Sequence, residues 1–350
     1  MKKANSGMNP QNPVKLSNRK LLCFIIGESL VLLIFLVFYF IMKNRSDHEI
    51  KKLKTEVGIL NNQDNALTQI RSNDQDLVKP LRLIDVREAN SLSGMKQDIS
   101  ELIDMMKKEG RVSSAAVYFR YLNEGRWFSV NNEETFRPGS INKIPLLIYF
   151  LKLSESDPAV LNTKYPYDHV IASIKKETYQ ESRLKLGQSY SVKELLEEMI
   201  TSSDNKATIM LLKHLDKPDL YKKIFTDLNM PVPQPGSFDF ALTAADCSKF
   251  MRVLYSSTYL SEKNSEYALK LLSKSTFQDG LKKPLPSKVI VAHKFGESGF
   301  QETPEFSETG IVYNDKHSYL LTVMTKGTNS KEQAEAISEI SKLIYDKVTE

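Results

Sequence analysis

The feature that most constrains the fold is the order in which strand and helix patterns follow one another along the chain. Strand patterns lie at residues 114–130 and again at 288–326, whereas the long region between them has predominantly helical spacing. We therefore predict an α/β (α+β) fold with two lobes. One lobe is an antiparallel sheet built from distant segments and flanked by terminal helices, and the other is all-helical.

Turn and capping signals divide these regions into elements. The three-residue turn Asn123–Gly125 predicts a hairpin between strands at 114–122 and 126–130. A capping box at Ser191 and Glu194 predicts a helix start. The predicted helices cover residues 97–109, 140–153, 191–201, 205–214, 218–228, 243–256, 262–274 and 331–348, the last opening with Ser330 and Gln333. The late strands cover residues 288–295, 308–314 and 319–326.

An apolar run at residues 21–42 is long enough to cross a bilayer as one helix. A cleaved signal peptide is the alternative, but the run is too long and no small-x-small cleavage site follows it. Lysine and arginine precede the run without any acidic residue, so the positive-inside rule places residues 1–20 in the cytoplasm. We predict a single-pass cell-membrane protein whose folded part is extracytoplasmic.

Residues 43–93 are predicted to form a stalk and linker between this run and the folded domain, which covers residues 94–350. Apolar residues from Ile50 to Leu67 recur at intervals of three and four, which is typical of a short coiled coil and hence of a homodimer. Asp64 occupies one seam position, where two carboxylates would repel each other. Because so few heptads are marginal alone, a single-chain spacer is an equal alternative.

Composition excludes several classes of function. The net charge of +5 is mild, and no basic stripe with interleaved aromatic residues is present, so no nucleic-acid partner is expected. The two cysteines, Cys23 and Cys247, can build neither a disulfide framework nor a thiolate metal site. The five histidines include no His-x-x-x-His pair. We predict no metal and no cofactor.

Three short motifs follow one another in the predicted domain: Ser140-Ile-Asn-Lys143, Ser203-Asp-Asn205 and Lys294-Phe-Gly296. A serine hydroxyl is a weak nucleophile at its free pKa and needs a neighbouring base. Residues i and i+3 share a helix face, so Lys143 can take the proton of Ser140. A helix N-terminus at Ser140 would favour a developing oxyanion, and Pro145 fits only if it lies near the first turn. The structural alternative is an N-cap serine with a surface lysine.

The other two motifs also have ordinary structural alternatives. Ser203 to Asn205 lie between two predicted helices, where short polar side chains either project into a cleft or cap a helix. Lys294 and Gly296 follow a strand, where glycine permits close approach of a ligand, and the alternative is an exposed edge lysine. His293 should point to the opposite face of the strand in a structural role. Ser-x-x-Lys alone is a weak signal because it occurs six times, but the three motifs in this order favour an acyl-transfer site.

With these motifs in this succession, the chain resembles the class A β-lactamase and penicillin-binding protein family, whose signature is Ser-x-x-Lys, Ser-Asp-Asn and Lys-Thr-Gly. The resemblance covers roughly residues 95–348, and the context of the second motif, from Glu198 onward, strengthens it. It implies that Ser140 is the nucleophile, Lys143 its base and Ser203 a proton shuttle to the leaving nitrogen. The substrate-binding groups that it implies are Asn205, Lys294, Gly296 and the oxyanion-hole N–H groups of Ser140 and Glu297.

Two departures from the family pattern concern the substrate and turnover. Phe295 stands where the family has threonine or serine, so a hydroxyl that helps to hold a substrate carboxylate is missing. Residues 206–242 contain no glutamate to activate the water that releases the acyl group, and Asp239 is the candidate replacement. Losing a general base typically slows its step about 10²–10⁴-fold. We therefore expect acylation with slow deacylation.

These observations favour two functions of different classes. A sensor of β-lactams or wall fragments is a third, which ranks last because the segment of residues 1–20 is too small for an output domain. The first is a serine hydrolase that acylates on β-lactams or on a related amide of a cell-wall peptide. The second is a non-catalytic binding or scaffold module on a dimerising stalk, which Phe295 and the missing glutamate favour. The retention of the polar residues needed for acylation favours the enzyme, because such a set has little use in an inert cleft.

Overall fold

The computed structural model describes residues 88–171, 182–233, 240–298, 303–315 and 317–350, together with Lys43 and Tyr179. The chain divides into two compact units, Met1–Gln63 and Asp64–Glu350, and every element below lies in the second. Within the described ranges, no helix has the length and apolar character needed to cross a bilayer. The predicted spanning run, the stalk repeat and Asp239 lie outside the described residues and stay predictions.

The helices are α1 (Ser93–Lys108), α2 (Lys143–Ser156), α3 (Val192–Thr201), α4 (Asn205–Lys213), α5 (Pro218–Asp227), α6 (Ala244–Tyr255), α7 (Glu262–Leu272) and α8 (Ser330–Thr349). The strands are β1 (Ser114–Tyr121), β2 (Trp127–Val130), β3 (Lys164–Pro166), β4 (Ser189–Ser191), β5 (Ile290–Ser298), β6 (Glu305–Tyr313) and β7 (Tyr319–Lys326). Short 3₁₀ turns cover Asn90–Leu92, Gly139–Asn142 and Pro158–Asn162.

Five strands form one antiparallel sheet in the order β2-β1-β7-β6-β5. The N-terminal hairpin therefore pairs with the C-terminal strand β7, with Val117 opposite Val323. This confirms the prediction of one antiparallel sheet assembled from distant segments. β5, which carries the third motif, lies at one edge, so one side of its backbone has no neighbouring strand in this sheet.

Each face of the sheet is covered by helices. On one face, α1 and α8 pack against residues such as Phe119, Phe306 and Val323. On the other face, Ala116, Ala292 and Leu320 join the core of the helical lobe. Helix α2 runs through that core with every residue from Lys143 to Leu151 buried, as an almost continuously apolar helix must. Helices therefore cover both faces of the sheet, which confirms the predicted α/β architecture.

The structure adds one small sheet to the predicted elements and gives the outcome of the predicted turn and cap signals. Strands β3 and β4 form a separate two-stranded sheet that the sequence pattern did not predict. A strand of three residues is too short to display an alternating pattern. The capping box at Ser191 and Glu194 and the hairpin turn with Gly125 at φ +77° are confirmed. Helix α8 begins at Ser330, as predicted, and Asn329 is its N-cap.

Candidate functional site

The predicted nucleophile lies in a tight turn that enters the central helix. Ser140 belongs to the 3₁₀ turn Gly139–Asn142, and α2 begins immediately after it at Lys143. The backbone N–H of Lys143 donates to the carbonyl of Ser140, so the two residues lie one turn apart on the same side. Pro145 is the third residue of α2, where its missing N–H has no helical partner to lose. The predicted α-helical start at residue 140 is thus a 3₁₀ turn instead.

Two glycines let this turn press against strand β5. Gly139 has φ +53°, and a Cβ atom there would lie 2.6 Å from the backbone oxygen and 2.7 Å from the backbone nitrogen of Glu297. A Cβ atom on Gly296 would lie 2.0 Å from the carbonyl oxygen of Pro138 and 2.8 Å from the nitrogen of Ser140. Only glycine permits backbones to approach so closely. The turn and the strand therefore bring the backbone nitrogens of Ser140 and Glu297 together.

The second motif sits in a strained connection between α3 and α4. Ser203 has φ +56°, a left-handed conformation that is uncommon for residues other than glycine, and it is fully buried. Asp204 holds this conformation in place, because its carboxylate accepts from the backbone N–H groups of Lys206 at 2.7 Å and Ala207 at 3.0 Å. Asp204 is therefore the helix cap, while Ser203 and Asn205 turn toward Lys143. Strain of this kind is concentrated at functional sites.

The lysines of the first and third motifs meet at the Ser203 hydroxyl. Lys143 Nζ donates to Ser203 O at 2.6 Å, to Ser203 Oγ at 3.1 Å and to Asn205 Oδ1 at 2.8 Å. Lys294 Nζ reaches the same Oγ at 2.8 Å. A hydroxyl has two acceptor lone pairs and one proton, so with both lone pairs occupied Ser203 is left to donate its proton to another group. Lys143, Ser203, Asn205 and Lys294, which come from all three motifs, therefore converge in one buried network. Ser140 is connected to it through its backbone carbonyl, which accepts from the N–H of Lys143.

Lys294 is not the exposed edge lysine that was the structural alternative for this motif. Its side chain is fully buried, and Nζ also contacts the carbonyl of Phe295 at 3.1 Å and its ring centroid at 4.3 Å. The Phe295 ring in turn packs against Phe277, Phe306 and Tyr179. Residue 295 thus lacks the hydroxyl of the family pattern, as the sequence indicated, and its ring fills the space beside Lys294.

Neighbouring side chains of β5 have structural partners. His293 Nδ1 lies 2.5 Å from Glu308 Oε1, and both side chains are buried, on the face opposite Ala292. This agrees with the structural role predicted for His293. The carboxylate of Glu297 accepts from the Ser330 hydroxyl at 2.6 Å, at the start of α8. The part of Glu297 that faces the turn of Ser140 is therefore its backbone.

Sequence reasoning assigned no role to two residues next to the motifs. Asn142 lies between Ser140 and Lys143, and its side chain is buried with neither amide atom bonded to any residue that the structure describes. Glu198 lies one turn before Ser202 in α3. Burial raises the pKa of its carboxyl above the usual value; Arg183, 4.0 Å away, opposes this effect and the charge of Asp204 adds to it. Two sequence signals could have pointed to these residues: a polar residue inside the first motif, and a glutamate one turn before the Ser-Asp-Asn motif.

Among the described side chains, no group of three or more histidines, cysteines, aspartates or glutamates is placed to hold a metal ion. The groups that this arrangement brings together are hydroxyl, amine and backbone N–H groups. Ser203 between two amines can exchange protons over short distances, and Ser140 lies one turn before the first of these amines, which suits attack on an acyl carbon.

Comparisons with known proteins identify sequences and structures that are similar to this chain. A family model described as a β-lactamase enzyme family matches residues 94–348. β-Lactamase VEB-1 of Pseudomonas aeruginosa is 23% identical over 64% of this chain and 82% of that protein. A mutant of PBP-A, solved as an acyl-enzyme complex with penicillin G, has a TM-score of 0.63 and 21% identity over 74% of this chain and 97% of that one. The TLA-3 extended-spectrum β-lactamase has a TM-score of 0.64 and 16% identity over 73% and 99% of the respective chains.

Proposed function

Since this chain belongs to the β-lactamase enzyme family, we propose that Ser140 is the acylating nucleophile of a membrane-anchored, extracytoplasmic serine hydrolase. Its substrate is a β-lactam or a related amide of a cell-wall peptide. The observation that carries the proposal is the buried network in which Ser203 Oγ accepts from both Lys143 and Lys294, at 3.1 Å and 2.8 Å. Two amines that share one hydroxyl can pass protons between them. A purely structural ion pair would not need this arrangement.

The proposed steps of acylation use the groups of this network. Lys143, in its neutral form, takes the proton of the Ser140 hydroxyl as Oγ attacks the carbonyl carbon of the substrate. The backbone N–H groups of Ser140 and Glu297 stabilise the oxyanion that forms. The carbon–nitrogen bond then breaks, and Ser203 donates its proton to the leaving nitrogen. The proton held by Lys143 passes to Ser203, which restores both groups.

Release of the acyl group is proposed to be slow. Residues 206–242 contain no glutamate, and Asp239 is the candidate residue to position water in its place. Without a dedicated base, deacylation is expected to fall about 10²–10⁴-fold below that of an enzyme that has one. The acyl-enzyme should then persist long enough to be detected as a mass adduct.

Intact mass spectrometry of the full chain with a chromogenic β-lactam tests the proposal directly. A stable adduct on Ser140 that is absent from Ser140→Ala and formed much more slowly by Lys143→Ala supports it. Ser93→Ala is the matched control, since Ser93 begins another Ser-x-x-Lys and is exposed at the start of α1. Labelling that persists in Ser140→Ala refutes the assignment of the nucleophile. Rapid hydrolysis of the chromogenic probe refutes the slow release and directs mutagenesis to Asp239.

The second candidate function is a non-catalytic binding or scaffold module on a dimerising stalk. The complete burial of Lys294 beneath Phe295 favours it, because that amine is covered in the structure. This alternative predicts ligand-induced thermal stabilisation without any covalent adduct. Membrane anchoring is tested separately, by fractionation of cells that express the full chain or a chain lacking residues 21–42. Light scattering of the full chain in detergent distinguishes a stalk dimer from a single-chain spacer.

A further inference from the structure

Glu297, whose backbone N–H belongs to the proposed oxyanion hole, lies at the end of an edge strand. Strand β5 ends one residue later, at Ser298, and pairs with β6 on one side. The ends of such elements open more readily than their centres, because fewer contacts hold them. An oxyanion donor needs a fixed position, since a misplacement of about 1 Å lowers a rate about 10²-fold. Contacts other than the pairing with β6 are therefore important for the position of this N–H.

The side chain of Glu297 is bonded to the first residue of helix α8. Ser330 Oγ donates to Glu297 Oε1 at 2.6 Å, and Glu297 is 8% exposed. A carboxylate that is removed from water needs protein donors in place of the water that it has lost. The N-terminus of a helix also attracts negative charge. The bond therefore holds the Glu297 side chain at the start of α8.

The Ser330 hydroxyl serves strand β5 rather than its own helix. A serine at the start of a helix usually caps it, by accepting from a backbone N–H of the first turn. In α8 that task belongs to Asn329, whose side chain accepts from the backbone N–H of Lys331 at 2.9 Å. The bond from Ser330 to Glu297 therefore joins two elements that are 33 positions apart in the sequence.

The end of β5 is also joined to the turn that carries Ser140. A Cβ atom on Gly139 would lie 2.6–2.9 Å from three backbone atoms of Glu297, so the two backbones are in close contact. The next residue, Ser298, donates from Oγ to the carbonyl of Arg137 at 2.8 Å. The backbone of Glu297 is thus packed against the turn while its side chain is bonded to α8. A shift of that side chain would therefore move the backbone N–H relative to Ser140.

We propose that Ser330 is a positioning residue for acylation, which fixes the backbone N–H of Glu297 in the oxyanion hole through its hydrogen bond to the Glu297 carboxylate. The inference rests on the proposed acylation of Ser140. Ser330 acts through Glu297 and has no contact with the substrate. Because the oxyanion forms only as the reaction proceeds, loss of this bond should lower the rate of acylation and leave substrate binding unchanged.

The test measures acylation of the full chain at increasing concentrations of a chromogenic β-lactam, with intact mass to locate the adduct. It yields a maximal acylation rate and a half-saturating concentration for each variant. Ser330→Ala should lower the maximal rate about 10–10²-fold and leave the half-saturating concentration unchanged. Alanine is a good helix former, so this variant is expected to fold. Ser330→Thr keeps the hydroxyl and should restore a rate close to that of the native protein.

Ser341→Ala is the matched control. Ser341 is a buried serine of the same helix, and its hydroxyl donates to the carbonyl of Leu281 at 2.8 Å. This variant loses a hydrogen bond of α8 that does not involve Glu297, so it should lower the melting temperature and keep the maximal acylation rate.

Three results would overturn the positioning role and leave the nucleophile standing. They are a native rate in Ser330→Ala, an equal loss of rate in Ser341→Ala, and a Ser330→Thr protein as slow as Ser330→Ala. A rise in the half-saturating concentration of Ser330→Ala without a fall in its maximal rate would also contradict the role. If the native protein forms no adduct on Ser140, the proposed function fails, and the inference fails with it.

Discussion

The close contact between strand β5 and the turn of Ser140 makes Gly296→Ala the most informative single substitution. The new Cβ would lie 2.0 Å from the carbonyl oxygen of Pro138 and 2.8 Å from the nitrogen of Ser140. Real Cβ atoms essentially never approach other atoms within 3.0 Å, so the strand and the turn must separate by about 1 Å. Both neighbours are backbone, so no flexible side chain can move aside to relieve the clash.

Two consequences of this separation can be measured. Overpacking of a close contact typically destabilises by about 1–3 kcal/mol. For a domain of this size Tm falls by about 2–4 °C for each kcal/mol. The separation also moves the nitrogen of Glu297 away from that of Ser140, and a misplacement of about 1 Å lowers the rate about 10²-fold. Thermal melts and the rate of Ser140 acylation by the chromogenic β-lactam report the two effects.

Gly94→Ala provides the matched control. Gly94 is exposed in the first turn of α1, and a Cβ atom added there would meet nothing within 4 Å beyond its own chain neighbours and helix backbone. Alanine there should stabilise by about 0.5–1 kcal/mol, because glycine is the poorer helix former, and acylation should be unaffected. The reasoning is refuted if Gly296→Ala keeps the acylation rate and melting temperature of the native protein, since the two backbones would then not be in contact.

Two further predictions concern the residues around the second motif. Ser203→Ala removes the hydroxyl shared by the two lysines and should slow acylation about 10²–10⁴-fold. The control Ser202→Ala should leave the acylation rate unchanged. Equal rates in the two variants would exclude Ser203 as the proton donor. The raised pKa of Glu198 means that the folded state binds its proton more tightly, so this contribution to stability is complete below about pH 4.5 and is lost as pH rises through the raised value. In urea titrations, Glu198→Gln should therefore stabilise the protein more at pH 7 than at pH 4. The control is Glu197→Gln, at an exposed neighbouring position, which should show little such difference. A larger stabilisation at pH 4 than at pH 7 would contradict burial as the cause of the raised pKa.

Several elements were predictable because their causes are local. A capping box at Ser191 and a glycine in the hairpin turn act within a few residues, and the structure confirms both. The apolar spacing of α1 buries Ile99, Ile103 and Met106 on one side, as helical periodicity requires. The pairing of the N-terminal hairpin with the C-terminal strands also followed, since strands separated by helices must share one sheet to be buried.

The features that the sequence did not reveal depend on contacts between distant segments. The left-handed conformation of Ser203 is uncommon for a serine and persists only where the surrounding structure stabilises it. No local pattern predicts that the Lys143 and Lys294 amines meet at one hydroxyl, because the three residues come from α2, the connection before α4, and β5. The same holds for the buried pair of His293 and Glu308, which belong to different strands.

The sequence by itself determined which side chains are available for chemistry and in which order the elements that carry them follow. Residue identity and short-range periodicity are properties of neighbouring positions. Only the tertiary structure decided that Phe295 packs beside Lys294 and that Glu308 pairs with His293. These outcomes depend on sheet register and on the close packing of rings from separate segments, which arise only when the whole core forms.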